Sequence, residues 1–176
     1  MASTLTTTIE QVERSADDSL DDGLPPSRRG ELTWELARQF PRQGDWTEEE
    51  YLSLGATWLI EFCDGVLEFL PMPTYFHQKI VRFLHALFNG FVEQRELGEV
   101  LFAPLPVRLW ARKYREPDLV YLSKARIPRN PHSQPHGADL VAEVVSPGDE
   151  NRERDLVTKP DEYAQAGIQE YWIVDP

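Results

Sequence analysis

The sequence has almost no cysteine. Cys63 stands alone, so no intrachain disulfide can form and stability must come from a packed core. No apolar run approaches the roughly 18 residues of a membrane-spanning helix. The first residues lack the basic start and apolar stretch of a secretory signal. A cytoplasmic location is the expectation that follows. Basic residues are also in short supply: 18 Lys and Arg face 30 Asp and Glu, for a net charge of −12 at pH 7. That balance argues against a broad basic surface for gripping nucleic acid, because phosphate contacts dominate such affinity. It leaves room for an enzyme that meets phosphate through a metal ion. There is no glycine-rich phosphate loop, no serine nucleophile elbow and no Cys/His set for structural zinc.

What is present is a chain of 176 residues, 41% hydrophobic, with five tryptophans. That length and composition suit one domain with a real core. Residues 1–30 are rich in Ser, Thr and Asp, include Pro25-Pro26, and lack periodic apolar residues. They read as a disordered tail, unable to offset ordering entropy by burial. Residues 31–46 are an ambiguous extension in which Trp34, Leu36 and Phe40 offer packing groups. The domain is expected over residues 47–176, with a possible truncation at its C-terminus.

Thr47-Glu48-Glu49-Glu50 is a capping box opening a short helix. Trp58–Cys63 and Val66–Leu70 read as strands joined by the hairpin turn Asp64-Gly65. Apolar residues at helical spacing predict a helix from Tyr75 to about Glu93. Further strands are predicted at 100–103, 106–109, 118–122, 140–145 and 171–174. A helix is expected between Asp155 and Ala166, with Gly167 as its cap. The bases from Arg108 to Arg129 are Arg108, Arg112, Lys113, Arg115, Lys124, Arg126 and Arg129. They read equally as a solvated loop or a phosphate-facing stripe. His132 and His136 are four residues apart, but Pro131 and Pro135 argue against a helix there, so they are taken as loop residues.

Glu143 interrupts the apolar run Leu140-Val141-Ala142-Glu143-Val144-Val145. A carboxylate in a strand buried on both faces needs a partner, a metal or a shifted pKa. The plain alternative is a strand-end glutamate bonded to a neighbouring arginine. Asp118 follows Pro117 at the head of another apolar strand, and alone it would read as a turn or cap. Two neighbouring strands carrying both carboxylates to one sheet end would give a hard divalent cation the oxygens it prefers.

Several segments in order carry a resemblance: Glu116-Pro117-Asp118; Glu143-Val144-Val145-Ser146-Pro147; Arg154-Asp155-Leu156 with Lys159 and Tyr163; and Gly167-Ile168-Gln169-Glu170-Tyr171-Trp172-Ile173-Val174-Asp175-Pro176. Upstream, Glu61, Asp64-Gly65 and His77-Gln78 match as well. From about Thr47 to Pro176 the chain resembles the Uma-type family of endonucleases, within the restriction-endonuclease-like (PD-(D/E)xK) superfamily. The resemblance implies an α/β, three-layer fold with a central mixed β-sheet flanked by helices. It implies a metal-dependent endonuclease acting on DNA, with a homodimer as a possible assembly. Asp118, Glu143 and the Val144 carbonyl would bind Mg²⁺ or Mn²⁺ and activate a water for attack on phosphorus. Glu61 and His77 are secondary catalytic candidates. Glu61 would join through a water, or else be an outward-facing strand carboxylate. His77 would bond Asp118 or phosphate, or else be a core histidine.

Two departures stand out. The superfamily pattern has a lysine two residues after the strand carboxylate, where this sequence has Val145. The resemblance moves that lysine to Lys159 on the following helix. Pro160 then follows Lys159 directly, and proline pushes its predecessor away from helical angles. The expectation is a helix starting at Pro160 with the aim of Lys159 in doubt. Alternative readings are a non-catalytic nucleic-acid-binding or regulatory module that keeps the fold, and a glycosidase using paired carboxylates.

Overall fold

The structure is a computed structural model, and it describes residues 29, 37, 39–54 and 59–176. Nearly all of the expected tail, with Trp34, Leu36 and Trp58, falls outside the described residues. The chain divides into units Met1–Phe40 and Pro41–Pro176; the larger one carries every element below.

Helix α1 (Glu48–Ser53) opens on the expected capping box. The Thr47 hydroxyl accepts from the Glu50 N–H at 3.1 Å, and the Glu50 carboxylate accepts from the Thr47 N–H at 3.0 Å. Strands β1 (Ile60–Cys63) and β2 (Val66–Phe69) form the expected hairpin. Its turn residues Asp64 and Gly65 both have positive φ, 47° and 89°, the conformation that matches the twist of paired strands. A Cβ at Gly65 would lie 2.1 Å from the Gly44 carbonyl oxygen, so the close approach needs glycine.

Helix α2 (Tyr75–Gln94) is capped by Thr74, whose hydroxyl accepts from the His77 N–H. Strands β3 (Gly98–Phe102), β4 (Val107–Trp110), β5 (Lys113–Arg115), β6 (Leu119–Ser123) and β7 (Leu140–Val144) follow. Helix α3 (Asp149–Glu153), a π-helical turn (Arg154–Thr158), α4 (Lys159–Gln165) and β8 (Glu170–Val174) complete the chain.

Two four-stranded sheets result, β2-β1-β5-β4 and β3-β6-β7-β8. The second is mixed, because β7 and β8 run parallel while its other pairs are antiparallel. This is the expected α/β architecture with a mixed sheet and flanking helices. The first, antiparallel sheet depends on β5, which sequence reasoning missed because Lys113-Tyr114-Arg115 looks too polar for a strand. Lys113 and Arg115 are buried and paired, so the run is not one phosphate-facing stripe; Arg112, Lys124 and Arg129 are exposed, as the solvated reading expects. Arg115 meets Glu61, Glu68 and Glu162; Lys113 meets Glu162; Arg108 meets Glu48; Arg126 meets Asp139.

The mixed sheet is covered on both faces. Leu119, Leu140, Ala142 and Val144 pack with Val81, Leu84 and Val92 of α2. Val120, Leu122 and Val141 pack with Tyr163 of α4 and Ile168 on the other side. A third cluster, with Trp46, Tyr51, Ile60, Phe62, Leu67 and Tyr114, joins α1 to the antiparallel sheet.

Pro160 does not start a new helix. Lys159 has helical angles, φ −64° and ψ −40°, and its N–H bonds to the Arg154 carbonyl across the π turn. This wider turn accommodates the proline ring and its missing N–H at the helix junction. Helical chain therefore runs from Asp149 to Gln165, earlier and longer than expected.

Candidate active site

Side chains alternate along β7. Leu140, Ala142 and Val144 face α2, so Glu143 shares the other face with Val141, toward α4. Glu143 is buried there. Its Oε1 accepts from the Lys159 ammonium at 2.8 Å and from the Tyr163 hydroxyl at 2.7 Å. Burial pushes its carboxyl up, Lys159 pulls it down, and the charges of Asp118 and Glu61 push it up again, to about 7.

Lys159 is equally buried. Burial alone would favour a neutral amine. Glu143 at 2.8 Å, Asp155 at 3.3 Å and Glu61 at 3.7 Å hold it well above the ordinary lysine range. Val145, at the superfamily's lysine position, is packed in the core, and its N–H bonds to Val174. The π turn is what aims Lys159 inward. Its ammonium comes to Glu143 from α4 rather than from β7.

Asp118 sits just before β6, the antiparallel neighbour of β7. Its Oδ2 accepts from the Val144 N–H at 2.8 Å and lies 3.2 Å from His77 Nε2. The hydrogen bond to Asp118 raises the His77 pKa; burial opposes it, and the Asp118 charge adds to it. His77 Nδ1 is buried with no hydrogen-bond partner.

Glu61 is fully buried on β1, not outward-facing. Arg115 and the Glu116 N–H occupy its two oxygens. Burial pushes its carboxyl up, but Lys159 and Arg115 bring it down to about 2. Glu116 moves the opposite way: burial and the Glu61 charge push it to about 7. Its Oε2 is buried without a hydrogen-bond partner.

Asp118, Glu143, Val144, Glu116, His77 and Lys159 line one cavity of about 340 Å³. Glu61 does not line it; it stands behind Lys159 against the Arg115 guanidinium. His132 and His136 are exposed loop residues, as expected. Sequence reasoning assigned no role to Arg115, Glu162, Asp155 or Tyr163. The last two stand in the motif that carries the resemblance. For Arg115 and Glu162 there was no local signal, because their pairing joins β5 to α4.

The donor set fits a hard divalent cation. Two raised or hydrogen-bonded carboxylates, Glu143 and Asp118, and an unpartnered Glu116 oxygen share the cavity. Crowded like charges of this kind are relieved by a cation. Among the described residues no three His, Cys, Asp or Glu side chains form a ready-made cage. A cation here would therefore take carboxylate, main-chain carbonyl and water together, as Mg²⁺ commonly does.

A family model for Uma2, described as "Putative restriction endonuclease", matches residues 48–176. The chain belongs to the Uma2 family. Among solved structures, it is similar to one described as a putative nuclease belonging to DUF820 from Anabaena variabilis ATCC 29413. The two share 23% identity over 74% of each chain, with a TM-score of 0.61. At that identity the likeness speaks for the fold. No curated protein matches the chain. Within the Uma2 match lie Asp118, Glu143 and Lys159, and also Arg115, Asp155 and Tyr163, which tie the lysine and the strand glutamate to the scaffold.

Proposed function

We propose that this Uma2 chain is a metal-dependent endonuclease that hydrolyses DNA phosphodiester bonds in the cavity lined by Asp118, Glu143 and Lys159. The observation that carries the reading is the buried Lys159 ammonium 2.8 Å from Glu143, in the same cavity as Asp118. Burying a charge cluster of this kind costs stability, and such clusters concentrate at functional sites.

Asp118, Glu143 and the Val144 carbonyl would hold Mg²⁺ or Mn²⁺. Bound there, the ion would supply Lewis acidity at the scissile phosphate and make water a stronger nucleophile at neutral pH. The chain's own groups do the rest. Lys159 keeps its proton and sets a fixed positive charge beside Glu143, placed to stabilise charge growing on phosphate oxygens. His77 and the Val144 N–H both engage Asp118 Oδ2, which fixes the carboxylate and leaves Oδ1 for a ligand. Glu61 and Arg115 act as positioning residues, holding Lys159 from behind. The surrounding carboxylates repel DNA phosphates until a cation offsets them, so activity should require added metal.

The test is a cleavage assay over supercoiled, duplex, single-stranded and branched DNA, with and without Mg²⁺ or Mn²⁺, and with Glu143→Gln as control. Metal-dependent cleavage that Glu143→Gln removes supports the reading. Folded protein that neither cuts nor binds Mn²⁺ at millimolar concentration overturns it in favour of a non-catalytic module.

A further inference from the structure

We propose that the outer face of α2 is a self-association surface, pairing antiparallel with α2 of a second copy of this chain. The inner face of the helix buries His77, Val81, Leu84 and Val92. Beside it runs a stripe that a monomer leaves to water: Phe76, Phe83, Leu87 and Phe91 are 59%, 65%, 59% and 53% exposed. At 100° per residue Phe76, Phe83 and Leu87 lie within about 40° of one another, and Phe91 lies about 40° beyond them. An aromatic patch of this length marks an interaction surface rather than scattered surface apolarity.

Gly90 lies at the edge of the stripe, about two helical turns beyond Phe83. Within a helix, glycine is less favourable than alanine, and here nothing in the chain requires it. A Cβ at Gly90 would meet no atom within 4 Å. A second backbone or ring approaching the helix would use that gap.

The charges select the partner and its direction. Lys79 and Arg82 stand on one flank of the stripe near the N-terminal half; Glu93 stands on that same flank near the C-terminal end, and all three are exposed. In an antiparallel pair of identical helices, a given flank faces its own copy. The bases of one chain then meet the acid of the other, twice. Parallel pairing would set this flank against the partner's other flank, and these pairs would not form. With the two-fold axis near Ala86 and Leu87, Phe83 falls opposite Gly90 of the partner, and Lys79 and Arg82 bracket the partner's Glu93. Such an interface is isologous and closes at two copies. It uses the face of α2 beside the one that buries His77, and its argument does not depend on the nuclease reading.

The experiment is sedimentation velocity of the full chain across micromolar concentrations, with far-UV circular dichroism confirming that each variant is folded. A reversible monomer–dimer equilibrium is expected. Leu87→Arg, which places two arginines near the axis, should leave only monomer. The double variant K79E/R82E should raise the dissociation constant about tenfold, and adding E93K to it should restore the original value. A chain that stays monomeric throughout, or a dimer indifferent to Leu87→Arg, overturns the proposal and leaves the stripe to another segment or a different protein. Failure of E93K to rescue overturns the antiparallel pairing.

Discussion

The Lys159 ammonium lies 2.8 Å from Glu143 Oε1, although the two side chains come from a helix and a strand on different layers. The pair is buried at both ends. It is the point where the mixed sheet, the π turn and the antiparallel sheet act on one another, since Glu61 of β1 also reaches Lys159.

Replacing Lys159 with methionine keeps most of the side-chain volume and removes the charge. Turnover should fall at least a hundredfold, on the order of 3 kcal/mol of lost transition-state stabilisation. Mn²⁺ affinity should hold or rise, because a competing cation has left Glu143. Single-turnover kinetics beside titration calorimetry separates the two effects. Unchanged turnover removes Lys159 from the mechanism.

Tyr163→Phe deletes one hydroxyl inside the core. That hydroxyl donates to Glu143 at 2.7 Å and is fully buried. A hydrogen bond to a charged group contributes about 2 kcal/mol, and urea denaturation should show a loss of that order. The midpoint should move without a change in the slope, because the packing is kept. No loss of stability would mean that Lys159 alone satisfies Glu143.

Acid should unfold the protein through Glu61 and Glu162. Burial pushes both carboxyls up, yet Lys159 and Arg115 bring Glu61 down to about 2, and Arg115 with Lys113 lowers Glu162. A carboxyl depressed in the folded state contributes stability above its unfolded value, near pH ~4.3. That contribution is lost as pH falls through the folded value. For Glu61 it amounts to about 3 kcal/mol. Glu116 and Glu143, raised to about 7, shift in the opposite sense and act above that window, so they do not cancel it. Denaturant melts of metal-free protein from pH 5 to pH ~2 measure the slope. Glu61→Gln should flatten it, and an unaltered slope would assign the acid sensitivity elsewhere.

Gly65→Ala tests the hairpin independently of any chemistry. The residue has φ 89°, and a Cβ would collide with the Gly44 carbonyl at 2.1 Å. The Gly65 carbonyl also accepts from the N–H groups of Gly44 and Trp46, so the backbone cannot shift freely. A loss of about 2 kcal/mol or more is expected in thermal or urea unfolding. A neutral substitution would mean that this turn relaxes at little cost.

Local rules made much of this protein legible in the sequence. Thr47 and Glu50 are three residues apart, so their capping box needs only one turn of chain. Asp64-Gly65 specifies its own turn, and the apolar period from Tyr75 onward specifies a helix, but not its buried face, since Leu87 and Phe91 of that period are exposed. Glu143 declared itself because a carboxylate in an apolar strand has no cheap local solution. The long-range pairings were decided by tertiary structure alone. Lys113 and Arg115 looked like solvent-facing bases until Glu61, Glu68 and Glu162 arrived from β1, β2 and α4 to pair them. Pro160 looked like a helix break until the π turn absorbed it and aimed Lys159 inward. Short-range hydrogen bonding and hydrophobic period are properties of neighbouring residues and can be read in order. Whether a buried charge is tolerated depends on which distant charge meets it, and that is settled only when the layers close.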